Sequence, residues 1–152
     1  MKPTLALSFA CSSLLAACGG SAPRTAEPDP VGPTPSGNAA LVARGQELYG
    51  ANCAKCHGDA GEGTDKGPAV VGVASGALPR APREGAKRTV EFRTAGDILT
   101  YISVNMPGDK PGSLPADDYL AILAFDLGAN GVELGETPFT AEAAAAMVIH
   151  PD

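Results

Sequence analysis

Cys53-Ala54-Lys55-Cys56-His57 is the stretch that most constrains this chain, because it sets two thiols three residues apart with a histidine directly after them. This is the attachment pattern of a covalent c-type haem. On one helical turn the two sulfurs reach the two vinyl groups along one edge of a porphyrin, and the next residue turns its imidazole toward the iron. Cys53 and Cys56 are then the attachment points and His57 the proximal ligand. The same spacing occurs in zinc knuckles and in redox dithiols. A thioredoxin-like couple, however, normally sits beside a βαβ pattern, and the sequence shows none.

The first residues read as an export signal, which suits covalent haem attachment. Lys2 supplies a short positive region, Leu5 to Ala17 are apolar and small, and Leu15-Ala16-Ala17-Cys18 reads as a lipoprotein cleavage box. Residues 1–17 are therefore expected to be removed and Cys18 to carry lipid at the new N-terminus. The alternative is an ordinary signal peptide cut nearby, with Cys18 incidental. The apolar run is too short for a spanning helix, which needs about 20 residues. The four cysteines are then accounted for: Cys11 leaves, Cys18 is lipidated, and Cys53 and Cys56 hold haem. No thiol is left for a disulfide, so core and cofactor must hold the fold.

Composition divides the rest. Residues 18–38 carry Pro23, Pro28, Pro30, Pro33 and Pro35 and hardly any large apolar side chain, so they cannot build a core. They read as a tether of about 20 residues that spans at most on the order of 60 Å. Residues 39–131 read as one small globular domain in which a buried haem supplies apolar volume. The lack of tryptophan and an aromatic content of 5% agree with that.

Three helices are expected in this domain, with no alternating run long enough for a sheet. The first runs from Ala39 to Cys53, finished by the haem motif, with Gly45 leaving room for close packing. The second follows Thr94 as N-cap, with Asp97 three residues on, and is stopped by Pro107 and Gly108. The third starts near Pro115, has Asp117 and Asp118 in its first turn, and ends at Gly128. Beyond it, residues 132–152 form a C-terminal extension in which Thr140 caps a short helix from Ala141 to about Val148, its alanines suited to close packing.

Taken in order, Cys53-Ala54-Lys55-Cys56-His57, Gly67-Pro68-Ala69, Asn105-Met106-Pro107-Gly108 and the helix from Tyr119 to Leu127 give a chain that resembles the class I monohaem cytochrome c family. The resemblance covers about residues 39–131. It implies an all-α fold of three to five helices around one covalent haem c, in which the first and last helices cross. Gly45 and Tyr49 are the expected counterparts of the crossing on one side, Ile122 and Phe125 on the other. It also implies His/Met ligation, since a thioether favours reduced iron and raises the potential as an electron carrier requires. Met106, 49 residues after His57, is the expected sixth ligand, with Met147 and His150 as alternatives. His150 otherwise reads as an exposed terminal residue. The carbonyl of Pro68 is expected to accept the other ring N–H of His57.

Charge narrows the partners. The chain carries 11 Lys and Arg against 17 Asp and Glu, and loss of Lys2 takes the net from −6 to −7, which argues against nucleic acid. Arg80, Arg83, Lys87, Arg88 and Arg93 form a local basic stretch open to three readings: a haem-propionate partner, a docking site for an acidic protein, or a solvated loop. The function expected is electron transfer rather than enzymatic catalysis, between redox proteins such as an oxidase, a reductase or a dehydrogenase. The chain would be lipid-anchored to a membrane facing the periplasm or cell exterior, and Gly19 after Cys18 tilts this toward an outer membrane. The rival is a haem enzyme or gas sensor of peroxidase type, with an open or displaceable sixth position.

Overall fold

The computed structural model describes residues 36–151. The signal segment, Cys11, Cys18 and nearly all of the tether lie outside the described residues. Five α-helices follow in order: α1 (Asn38–Asn52), α2 (Ala54–His57), α3 (Ala95–Asn105), α4 (Ala116–Ala129) and α5 (Ala141–Ala146). Among the described residues there is no strand, only an isolated antiparallel bridge between Thr94 and Val148. The fold is all-α.

The three main helices stand where the sequence puts them, with local differences. A capping box starts α3: the Thr94 side chain accepts from the Asp97 N–H and the Asp97 carboxylate accepts from the Thr94 N–H. Helix α1 ends at Asn52, and the haem motif turns through Cys53 into α2 rather than extending α1. Gly128 does not end α4, which runs on to Ala129. Gly131, at φ +80, makes the turn, with its N–H bonded to the Gly128 carbonyl and the Val132 N–H to that of Leu127. These two bonds satisfy the last carbonyls of the helix.

Helix α1 packs against α4 across Gly45. A β-carbon there would lie 1.9 Å from the Ala121 carbonyl oxygen, so only glycine permits this approach. Next to it the Tyr49 and Phe125 rings tilt against each other with centroids 5.2 Å apart. A larger apolar cluster joins α3, α4 and α5 through Phe92, Ile98, Leu123, Leu127, Phe139 and Ala144.

The residues after 131 contribute to that core, since Phe139 and Ala144 are buried in it. Thr140 caps α5 by accepting from the Ala143 N–H, and Ala145 packs where a β-carbon on Gly96 would come within 2.7 Å of its Cα. Asn38 fastens the segment to the start of α1, donating to the Gly135 and Thr137 carbonyls and accepting from the Phe139 N–H. His150 is half-buried rather than exposed, with Nε2 2.8 Å from the Leu78 carbonyl oxygen. The segment is therefore part of the packed body.

Candidate functional site

The break between α1 and α2 gathers the motif onto one surface. The Cys53 N–H closes α1 on the Tyr49 carbonyl at 2.8 Å, while the Cys53 carbonyl accepts from the Cys56 and His57 N–H groups, each at 3.0 Å. Cys53, Cys56 and His57 consequently line one cavity of about 720 Å³.

The loop after the motif orients His57. Its Nδ1 lies 2.7 Å from the Pro68 carbonyl oxygen. A carbonyl only accepts, so Nδ1 carries the proton and Nε2 is the ring atom available to a metal. Gly67 makes the approach possible, because a β-carbon there would lie 2.9 Å from the Cys56 oxygen and 3.1 Å from His57 Nδ1. Thr64 ties the loop down by donating to the Cys56 carbonyl at 2.5 Å.

Met106 reaches the same cavity from the end of α3. Its N–H bonds the Ile102 carbonyl at 3.0 Å, and its own carbonyl accepts from the buried Tyr119 hydroxyl at 2.6 Å. The role of Tyr119 is invisible in the sequence, where it reads only as the start of a helix. Met147 and His150 do not line this cavity: Met147 packs against the α3–α4–α5 cluster, and His150 lines a separate small one with Leu78 and Ile149.

The remaining walls are apolar where the helices meet, through Ile98, Ile102, Leu114 and Ile122, and basic on the side of the loop before α3. Arg88 organises that loop, donating to the carbonyls of Pro79, Arg80, Ala81 and Val90 and stacking 3.9 Å over the Phe92 ring. Arg80 and Arg93 both meet the Glu91 carboxylate. Most of the basic stretch thus has internal work.

Two thiols, an imidazole presenting Nε2, a thioether and an apolar cavity within the usual range for cofactor sites fit a covalent haem c. They do not fit the alternatives. A redox dithiol needs a lowered thiol pKa, whereas burial, with Asp126 and Cys56 adding to it, pushes the Cys53 thiol up to about 12. Among the described residues no three His, Cys, Asp or Glu side chains stand together to hold a metal. Asp126 also lines the cavity, and the sequence gives no cue for it beyond an acid set among the apolar residues of α4.

The chain is 30% identical over 93 residues to the cytochrome bc1 complex cytochrome c subunit of Corynebacterium efficiens, an alignment covering 52% of this chain and 31% of that protein. It also superposes on a chain of the sulfane dehydrogenase SoxCD from Paracoccus pantotrophus with a TM-score of 0.52 and 28% identity, covering 76% of this chain and 62% of that one. The chain thus spans about a third of the curated relative and under two thirds of the solved chain. Residues 40–125 match the model of the family described as cytochrome C oxidase, cbb3-type, subunit III. With the motif, the cavity and that match together, the chain belongs to this cytochrome c family and its cofactor is a covalently bound haem c.

Proposed function

We propose that this protein is an exported monohaem cytochrome that carries single electrons between redox proteins at a membrane surface, binding no substrate at iron. In this reading Cys53 and Cys56 would hold the haem through two thioether bonds, and His57 and Met106 would ligate its iron. The observation that carries it is the convergence of these four side chains on one largely apolar cavity. The haem supplies one-electron chemistry, and a thioether ligand raises its potential. The chain's own residues do the rest. Pro68 holds the His57 ring by its Nδ1–H, Tyr119 holds the Met106 backbone by its carbonyl, and Ile98, Ile102 and Ile122 keep water from the cavity.

Lipid on Cys18 and a tether over residues 18–38 would keep the body, residues 39–131 with the extension packed on it, near a membrane, facing the periplasm or cell exterior. The cleavage box and the proline-rich composition support this. Among the described residues no helix is long and apolar enough to cross a membrane. The donor and acceptor are redox proteins of the oxidase, reductase or dehydrogenase kind. A relative named as a subunit of the bc1 complex is in keeping with this.

Replacing the methionines tests the ligand set. Met106→Ala should open the sixth position, lower the reduction potential and admit carbon monoxide, while Met147→Ala should do none of these. The reverse pattern would move the ligand to the tail, and carbon monoxide binding by the wild type would favour a haem enzyme or gas sensor. Haem that extracts freely into acid acetone would defeat the reading altogether. Cys18→Ser should stall as precursor or become soluble with an unchanged haem spectrum, and soluble wild type without lipid mass would refute the anchor.

A further inference from the structure

Asp126 has no part in the reading above. It lies on α4 between Phe125 and Leu127, is 6% exposed, and is the one buried charged side chain among the described residues. It lines the cavity that Cys53, His57 and Met106 share, and its Oδ1 has no hydrogen-bond partner. An unpaired carboxylate in such a place is costly, and an aliphatic side chain would suit the neighbouring residues of α4 better. Burial alone pushes its carboxyl up to about 7.

The groups facing it leave that carboxyl free to gain and lose a proton. From α1 comes the Tyr49 phenol, whose hydrogen is committed to the Gly58 carbonyl at 2.9 Å. The Cys53 sulfur faces it from the motif, and thioether formation makes that sulfur uncharged. From α3 the cavity wall takes the apolar Ile98 and Ile102, the Tyr101 phenol, and Asn105, whose side-chain amide donates to the Tyr101 carbonyl. At the end of α4 the Asn130 side-chain amide donates to the backbone carbonyls of Asp126 and Val70. The wall also carries Lys66, Lys87 and Glu84, and of its other cations Lys55 is bonded to Asp109, Arg83 to the Gly76 carbonyl and Arg88 to loop carbonyls. None of these cations offsets the burial that raises the Asp126 carboxyl.

We propose that Asp126 couples electron transfer to proton transfer: its carboxylate takes up one proton from solvent as the iron takes up one electron from a donor protein, and releases that proton when the electron passes to an acceptor. The inference rests on the haem reading above. No bond changes except the O–H of the carboxyl. Reduction lowers the charge on the iron by one, so a negative carboxylate in the same low-dielectric cavity becomes less favourable and its protonated form more so. Linkage makes the effect reciprocal: protonating Asp126 must favour the reduced state by the same factor.

The test is an equilibrium redox titration of the holoprotein from about pH 5 to 9, spanning the range where a raised carboxyl titrates. Wild type should show a reduction equilibrium that falls with pH, approaching tenfold per unit, or 59 mV for one electron, across the window between the two redox-state pKa values. Asp126→Asn should be flat across that window and sit at the wild-type low-pH value. Asp126→Leu, which also removes the buried polar group, should do the same if the asparagine variant folds poorly. An infrared difference between reduced and oxidised wild type at a pH inside the window should show a protonated-carboxyl band that both variants lack. A wild-type potential independent of pH, or a slope that survives in the variants and so belongs to the propionates, overturns the proposal. Either outcome leaves the haem reading standing where all three proteins keep covalent haem with one spectrum. Freely extractable haem overturns both.

Discussion

Gly45→Ala probes the helix crossing on which the site is built. The added β-carbon would lie 1.9 Å from the Ala121 carbonyl oxygen, 2.6 Å from its carbonyl carbon and 2.9 Å from the Phe125 β-carbon. Two of these are backbone atoms of the facing helix, so no rotamer change relieves them. Reaching ordinary contact requires α1 and α4 to separate by about 1.5 Å. Overpacking of this kind costs about 1–3 kcal/mol and sometimes more, while alanine returns about 0.8–1.0 kcal/mol of helix propensity. Because the clash is with backbone, the high end applies, and a net loss of about 2 kcal/mol is expected. For a body of this size that lowers the melting temperature by roughly 10 °C. Gly50→Ala on the same helix is the control, since a β-carbon there meets nothing within 4 Å. It should be neutral or stabilising by about 0.5–1 kcal/mol. Denaturant melts of the two holoproteins, followed by far-ultraviolet circular dichroism, compare them directly. A Gly45→Ala protein as stable as the Gly50→Ala protein, with an intact haem spectrum, would refute the packing of α1 on α4.

Thr94→Ala removes the cap on the Asp97 N–H and should cost about 1 kcal/mol in the same melts, with Thr94→Ser retaining most of it. Phe139→Ala empties a buried position shared by α3, α4 and the C-terminal segment and should cost about 3–5 kcal/mol, whereas a loosely attached tail would register no change. Asp126 supplies a pH dependence of stability. Its carboxyl is raised from 3.8 to about 7 on folding, so between those values the folded chain keeps a proton that the unfolded chain has released. The stability associated with Asp126 is then full below about pH 4 and falls as pH rises to 7, by an amount on the order of a few kcal/mol. Asp126→Asn should remove this slope, so that its stability relative to wild type improves with pH. A difference that stays constant from pH 4 to 8 would place the carboxylate in contact with water or a cation.

The parts of the fold legible in the sequence were those in which one residue type has one local job. Thr94 with Asp97 announces a helix start through the hydrogen bonds that only those side chains can make there. Gly45 announces close packing because close backbone approach needs a missing β-carbon, and the resemblance to the cytochrome c family names Tyr49, Ile122 and Phe125 as its companions at the crossing. Gly128 misled because glycine is an ordinary helix terminator, yet tertiary contacts decide the end of α4. Asn130 accepts from the Gly72 and Val73 N–H groups and donates to the Val70 carbonyl, so it is held one turn beyond the motif loop and Gly131 takes the bend instead. None of those partners lies within 50 residues of Asn130 in sequence, and no local rule reports them.

The same distinction separates the attachment motif from the residues that support it. Cys53, Cys56 and His57 are contiguous, so spacing alone names their chemistry. Tyr119 and Asp126 act only through what folding sets beside them, a methionine carbonyl for one and an apolar cavity for the other. Both lie on α4, whose first turn holds the acids Asp117 and Asp118, and nothing local in the sequence sets Asp126 apart from them. Burial sets it apart. On the surface Asp126 would be an ionised group of no consequence, but in the cavity wall its charge state depends on every other charge the cavity holds. The C-terminal segment follows this pattern as well. Its run of alanines announces close packing but not the surface it meets, which is α3 at Gly96, and by covering α3 the segment braces the helix that ends at Met106.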